Sequence, residues 1–290
     1  MSGTTRSDRT RCKRRVAATA VGLIVALAAS PVVGAEPDNQ AAAIAAADGP
    51  AQSWLVADMV SGRILAGRNP YGLYAPASTI KALLAMVVLD ELNPDAAVRA
   101  TPSSTDVECS CVGLVPGAVY PIRALLNALM MVSGNDAANL LAESLGGNPV
   151  AIAKMNAKAA QFGATNTRAS SPSGLDGPGW ESVTTAQDLA IIYRAALNYP
   201  LLVQALHQSV AQFPDGAGGV RTIASSDRLL PSYPGYIGGK TGYTNLAKET
   251  YVGMAQRDGH RLIVVAMYGA DDLWDQSRAL LDWGFSQYGR

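Results

Sequence analysis

Ser78 and Lys81 stand three residues apart in "PASTIK", directly ahead of the apolar run "ALLAMVVLDEL". On a helix that spacing puts both side chains on one face, a turn apart. A lysine there serves as base for the serine only if its charge is suppressed, by burial or by a second cation. A serine at a helix start also lies beside backbone N–H groups that lack helical partners. Those suit the negative oxygen formed when a hydroxyl attacks a carbonyl. Ser-x-x-Lys alone arises by chance roughly once in a chain of this size. A helix start followed by a solvent-seeking lysine explains it equally well.

Two further clusters bear on the choice. Residues 238–244 read "GGKTGYT", so Lys240, Thr241 and Gly242 lead toward a C-terminal hairpin. Lys240 offers the second cation, and the glycines let a substrate backbone pair along a strand edge. Ser133-Gly134-Asn135 falls in a break between two apolar helical segments. A hydroxyl there can pass a proton between Lys81 and a leaving amine, and an amide can hold a substrate carbonyl. Taken singly, a surface turn and a helix stop account for these triplets. Each occurs once, in the order Ser-x-x-Lys, Ser-x-Asn, Lys-Thr-Gly. The elements also suit: helix start, inter-helix loop, strand start. Joint coincidence stands at about a few in a hundred.

The elements that must position them follow from periodicity. "SWLVADMVSGRILAGRN" alternates around Ser61-Gly62 and predicts a β-hairpin. "PIRALLNALMMV", "DAANLLAESLGG", "PVAIAKMNAKAAQFG" and "TTAQDLAIIYRAALN" read as helices, the last capped by Thr184 or Thr185. "KETYVGMAQRDGHRLIVVAMYG" is a hairpin turning at Asp258-Gly259, and "DLWDQSRALLDWGFSQYG" is an amphipathic helix. Residues 94–120 read as irregular. The two hairpins can share one antiparallel sheet, with the helical middle as a second lobe.

Composition bounds the rest. The 290 residues are 49% hydrophobic and 16% charged, enough for a well-buried core. Arg6, Arg9, Arg11, Lys13, Arg14 and Arg15 precede the apolar stretch Val16–Ala29, with small residues near Ala35. That is the layout of a secretory signal cleaved after Ala35, an uncleaved N-terminal anchor being the alternative. Domain expectations are therefore 1–35 signal, 36–50 flexible lead-in and 51–290 functional domain. Residues 1–35 carry six basic residues and one acidic, which leaves 17 basic and 22 acidic in the remainder, a net of −5. No basic stripe remains for nucleic acid. Cys109 and Cys111 would meet an oxidising space, as free thiols or as a local disulfide. His207 and His260 lack ligand spacing, so no metal site is expected and the cysteine pair is given no catalytic role.

Beyond the triplets, "YAPASTIKALLA", "LLNALMMVSGNDAANLLAE", "SPSGLDGPGW", "TTAQDLA" and "GGKTGYTN" resemble the penicillin-recognising serine enzymes. The likeness is greatest to the D-alanyl-D-alanine carboxypeptidases in an actinobacterial form, and it covers about Ser53 to Phe285. The resemblance implies an α/β (α+β) fold of the β-lactamase/transpeptidase type. That is a five-stranded antiparallel sheet flanked by helices beside an all-helical lobe, with the cleft between them. It implies Ser78 as nucleophile, Lys81 as general base and Ser133 as proton relay. Asn135 would orient the peptide, Lys240 would tune Ser133 and Lys81, and Thr241 would help hold the terminal carboxylate. Gly242, Tyr243 and Thr244 would complete the substrate-binding edge, with the N–H groups of Ser78 and Tyr243 as oxyanion hole. The implied partners are the peptidoglycan stem peptide and β-lactams as covalent inhibitors. No cofactor, metal or nucleic acid is implied, and a monomer acting in the cell envelope is expected.

Three departures matter. None of the acids between Ser133 and Lys240 opens the Glu-x-x-Leu-Asn segment of class A β-lactamases, so a long-lived penicilloyl adduct is expected rather than hydrolysis. Ala270 stands near the place where some members carry a carboxylate-binding arginine, with Arg257 or Arg261 as substitutes. The C-terminal β-rich domain and anchor helix of many carboxypeptidases have no counterpart after the last helix. That keeps D,D-endopeptidase activity as the alternative; an idle β-lactam sensor is a second one, against which the intact triplets argue.

Overall fold

The computed structural model describes residues 49–270 and 273–288. The basic run, the apolar stretch and almost all of the lead-in lie outside the described residues. In chain order the elements begin with β1 (Ser53–Asp58), β2 (Ile64–Arg68), a 3-10 turn (Ala77–Ile80) and α1 (Lys81–Glu91). Then come β3 (Ala97–Arg99), α2 (Pro102–Thr105), β4 (Val119–Pro121), α3 (Ile122–Met131), α4 (Asn135–Ser144) and α5 (Asn148–Phe162). The chain continues through α6 (Ala186–Ala196), α7 (Pro200–His207), β5 (Val210–Pro214) and β6 (Val220–Ala224). It closes with β7 (Tyr236–Thr244), β8 (Lys248–Arg257), β9 (His260–Gly269) and α8 (Leu273–Ser286).

The two expected hairpins join in one five-stranded sheet of order β2-β1-β9-β8-β7, every neighbour antiparallel. Asp258 and Gly259 both adopt left-handed φ, at 48° and 82°, as a two-residue turn of this hand requires. Both faces of the sheet are covered. Leu55, Ala57, Ile263, Val265 and Met267 point into the core shared with the helices. Their alternates Trp54, Val56, Leu262, Val264 and Ala266 pack under Leu273, Leu280 and Trp283 of α8. Burial on both sides explains why β9 reads as a nearly unbroken apolar run.

α1 is buried from Lys81 to Val88. A helix apolar all round belongs at the centre, and α3, α4, α5 and α6 surround it. Its core is continuous with the inner face of the sheet. Of the two cap candidates, Thr185 is the one whose side chain accepts the Asp188 N–H. The short elements β3, α2 and β4 fall in the stretch read as irregular. α7 and the β5–β6 hairpin carry no strong periodic signal; Val210 and Val220 are exposed.

Candidate active site

The turn that carries Ser78 is held from three sides. The Thr79 hydroxyl donates to the Pro76 carbonyl at 2.6 Å, and Thr250 of β8 donates to the same oxygen at 3.0 Å. Tyr193 of α6 donates to the Thr79 carbonyl at 2.8 Å. Ala77, just ahead of Ser78, adopts φ 46°, a left-handed value costly for a residue with a Cβ. Ser133 does the same at φ 61°, in the break between α3 and α4. Non-glycine residues persist in this region only where the surroundings over-determine them, and here they flank the cleft.

Lys81 links these two strained places. It has no solvent exposure. Its Nζ lies 2.9 Å from Ser78 Oγ, 3.1 Å from Ser133 Oγ, 2.7 Å from the Ser133 carbonyl oxygen and 2.6 Å from Asn135 Oδ1. Burial, reinforced by the positive field of Lys240, holds the Lys81 pKa well below its usual value, and Asp136 opposes the shift. A neutral amine has two N–H donors and one lone pair. The two carbonyl oxygens can only accept, so they take the donors, and the lone pair is left for a hydroxyl.

Lys240 sits in the middle of β7 rather than at its start, because "YIGG" already pairs with β8. β7 is an edge strand, so its free side faces the cleft. Burial brings Lys240 down to about 7, against the pull of Asp227. Its Nζ donates to the Thr241 carbonyl at 2.7 Å. It therefore acts on Lys81 through its field. Gly242 is required by a close approach: a Cβ there would stand 2.8 Å from the Ser78 backbone nitrogen and 3.0 Å from Ala77 Cβ.

A cleft of about 410 Å³ opens over these groups, lined among others by Ser78, Ser133, Asn135, Thr241, Gly242 and Tyr243. Lys81 and Lys240 lie behind its wall, fully buried. Thr244 stands apart; its hydroxyl donates to Asp176 Oδ2 at 2.6 Å and accepts from the Ala247 N–H. Arg257 and Arg261, the expected substitutes for the missing arginine, sit at the turn between β8 and β9. They bind the Pro234 carbonyl with Asp282, and Gln256, respectively. Arg257 is six residues along β8 from Tyr251, the residue paired with Thr241, which is about 20 Å along a strand.

Several cleft residues escaped the sequence reading. Arg228 lines the cleft and lies over the Trp274 ring, 5.7 Å from its centroid. Ser226 Oγ is 3.3 Å from Thr241 Oγ1. Beneath them Asp227 is buried and accepts the Tyr236 hydroxyl at 2.6 Å. Glu108, Cys109 and Ser110 form the opposite rim, and Cys109 and Cys111 are joined in a disulfide. Asp136, in the first turn of α4, accepts the N–H groups of Val112, Gly113 and Leu114 at 2.8 to 3.0 Å. No short-range motif marks these groups, apart from the proximity of the two cysteines.

The profile of the peptidase S11 family, described as D-alanyl-D-alanine carboxypeptidase, matches residues 39–271. The chain is 53% identical over 244 residues to D-alanyl-D-alanine carboxypeptidase DacB2 of Mycobacterium tuberculosis, covering 82% of this chain and 84% of that protein. A crystal structure of D-alanyl-D-alanine carboxypeptidase from M. tuberculosis superposes with a TM-score of 0.80 at 53% identity, covering 82% of this chain and 92% of that one. Penicillin-binding protein D2 of Listeria monocytogenes, in its ampicillin-bound form, superposes with a TM-score of 0.72 at 26% identity, covering 81% and 97%. With its serine–lysine pair, its inter-helix serine and its edge-strand lysine in one cleft, this chain belongs to the peptidase S11 family of D-alanyl-D-alanine carboxypeptidases.

Proposed function

We propose that this protein is a serine D,D-carboxypeptidase that removes the terminal D-Ala from peptidoglycan stem peptides through an acyl-enzyme on Ser78. The observation that carries the reading is the buried Lys81 amine, in reach of both the Ser78 and the Ser133 hydroxyls. Lys81 takes the Ser78 proton as Oγ attacks the penultimate D-Ala carbonyl. The oxyanion forms beside the Ser78 N–H, where Gly242 brings β7 close enough for the Tyr243 N–H to share it. Ser133 passes the proton from Lys81 to the departing amine, D-Ala leaves, and water cleaves the ester. Asn135 orients the peptide, which lies along the free edge of β7 beside Thr241, Gly242 and Tyr243. Lys240 and Thr241 favour its carboxylate, and Thr244 supports the end of the strand.

β-Lactams enter by the same attack and remain as a penicilloyl ester on Ser78, since no Glu-x-x-Leu-Asn segment supplies a deacylating base. The basic, apolar, small-residue layout of residues 1–35 supports export to the cell envelope, where the stem peptides are. Mass spectrometry before and after benzylpenicillin, with D-Ala release from a pentapeptide followed in parallel, tests the reading. A lasting adduct on Ser78 with D-Ala release is expected. An adduct without release favours the endopeptidase or the sensor, and no adduct with no drug loss overturns the serine mechanism.

A further inference from the structure

The Asn135 amide is held at three points. Its Oδ1 accepts from Lys81 Nζ at 2.6 Å. Its Nδ2 donates to the Glu108 carbonyl at 2.6 Å, and its backbone N–H donates to the Ser110 carbonyl at 2.6 Å. Glu108 therefore decides which way the amide faces, because a flipped amide would turn its NH₂ toward the Lys81 amine. The second Nδ2 hydrogen is left for a carbonyl in the cleft.

Both holding carbonyls lie in a segment without regular structure, on either side of Cys109. The next residues are anchored independently, with the N–H groups of Val112, Gly113 and Leu114 on Asp136. Arg221 also donates to the Val112 carbonyl. The Cys109–Cys111 bridge ties the exposed segment to that anchor. We propose that this disulfide is a positioning element for acyl transfer: it fixes the carbonyls that orient Asn135, and its opening slows acylation while the fold persists. The inference rests on Ser78 and Asn135 acting as read above. So short a ring constrains the unfolded chain far less than a long one, so its loss is felt in the cleft more than in stability.

Cys109 is exposed and Cys111 half-buried, so a dithiol in solution reaches the bridge from the Cys109 side. One dithiol thiolate attacks Cys109 Sγ and releases the Cys111 thiolate. The second dithiol sulfur then displaces Cys109 as the reagent closes to a cyclic disulfide. Two electrons and two protons pass from the dithiol to the two cysteines.

The test uses the full chain with Cys12→Ser, so that the pair supplies the remaining thiols. Benzylpenicillin acylation is timed by mass spectrometry on the oxidised protein, after dithiothreitol, and after reoxidation with glutathione disulfide. A Cys109→Ser/Cys111→Ser variant and an Asn135→Ala parent are run alongside. Reduction should slow acylation by roughly tenfold or more, reoxidation should restore it, and the melting temperature should barely move. In the Asn135→Ala parent, reduction should cost little further, because the bridge acts through that amide. If the double-serine variant fails to fold, the reversible reduction still decides. An unchanged rate after reduction overturns the proposal. So does an equal loss in the Asn135→Ala parent, which would mark a general structural role. Failure of the oxidised protein to acylate at all overturns the underlying serine mechanism, and this inference with it.

Discussion

Lys81 Nζ is 2.9 Å from Ser78 Oγ, while its two shorter contacts, at 2.6 and 2.7 Å, are to carbonyl oxygens that cannot give it a proton. The amine is thus oriented by acceptors, with its lone pair left for hydroxyls. Lys81→Met keeps the apolar stem of a side chain buried in α1 and removes the base. Positioned general bases are worth about 10²–10⁴ in rate, so benzylpenicillin acylation should fall by about three orders of magnitude. Near-native thermal stability would show that the fold survives. Acylation at the parental rate would take the base role from Lys81.

The two buried lysines predict a pH profile with opposite limbs. Acylation needs Lys81 neutral, so the rate climbs on the acidic side as Lys81 loses its proton. Lys240 must be charged to attract a carboxylate, and its charge fades as pH rises through about 7. Thus kcat/KM for a pentapeptide should decline above neutrality, chiefly through KM. Lys240→Arg, whose charge survives to far higher pH, should move that decline upward.

Stability has its own sign. The Lys240 pKa is lower folded, at about 7, than its usual 10.5, so between those values the unfolded chain binds the extra proton. Stability should therefore rise with pH across that window. Urea unfolding at pH 7 and pH 9 checks it. Lys81, likewise held down by burial, adds to the rise, so Lys240→Met should reduce the slope without abolishing it.

The sheet and the main helices were legible from short apolar runs broken by turn residues at Ser61-Gly62 and Asp258-Gly259, and from apolar faces in α3 and α6. The three triplets were legible because acyl transfer needs these residue types on these elements. The strand around Lys240 was partly hidden, since Gly238 and Gly239 dilute the β signal. Gly239 is needed because a Cβ there would strike the Tyr236 hydroxyl and the Val252 carbonyl. Asp227, Arg228 and Ser226 were hidden for another reason. Their place at the cleft comes from the crossing of a loop over β7, and no local spacing encodes such long-range contacts. The holding of Asn135 by Glu108 and Ser110 spans 27 and 25 residues, and was equally beyond local reading.

Gly242 tests the close approach of β7 to the nucleophile turn. Gly242→Ala would drive a methyl against the Ser78 nitrogen, Ala77 Cβ and the Thr250 hydroxyl. Either the strand moves outward or the turn does, and both separate the N–H groups that face the oxyanion. Loss of one such donor costs about 10²–10³ in kcat, and acylation should fall by a comparable factor. Unchanged sheet content by circular dichroism would assign the loss to the site. A parental rate would show that β7 gives way without disturbing the oxyanion hole.

The carboxylate of the leaving D-Ala calls for a cation within the cleft. Lys240 is behind the cleft wall, and Arg257 and Arg261 are committed at the distant turn. Arg228 instead presents an exposed guanidinium within the cleft, propped on Trp274 and two residues from Ser226, whose hydroxyl faces Thr241. An exposed guanidinium pairs with a carboxylate at modest strength, so its effect is on binding rather than on chemistry. Arg228→Gln should raise the pentapeptide KM by roughly threefold with kcat nearly unchanged, since an exposed pair is worth about 0.2–1 kcal/mol. The decisive control is the same pentapeptide with its C-terminal carboxylate amidated. The parent should favour the free acid, and Arg228→Gln should lose most of that preference. If both proteins discriminate equally, Arg228 has no part in carboxylate recognition, and Thr241 with the field of Lys240 suffices.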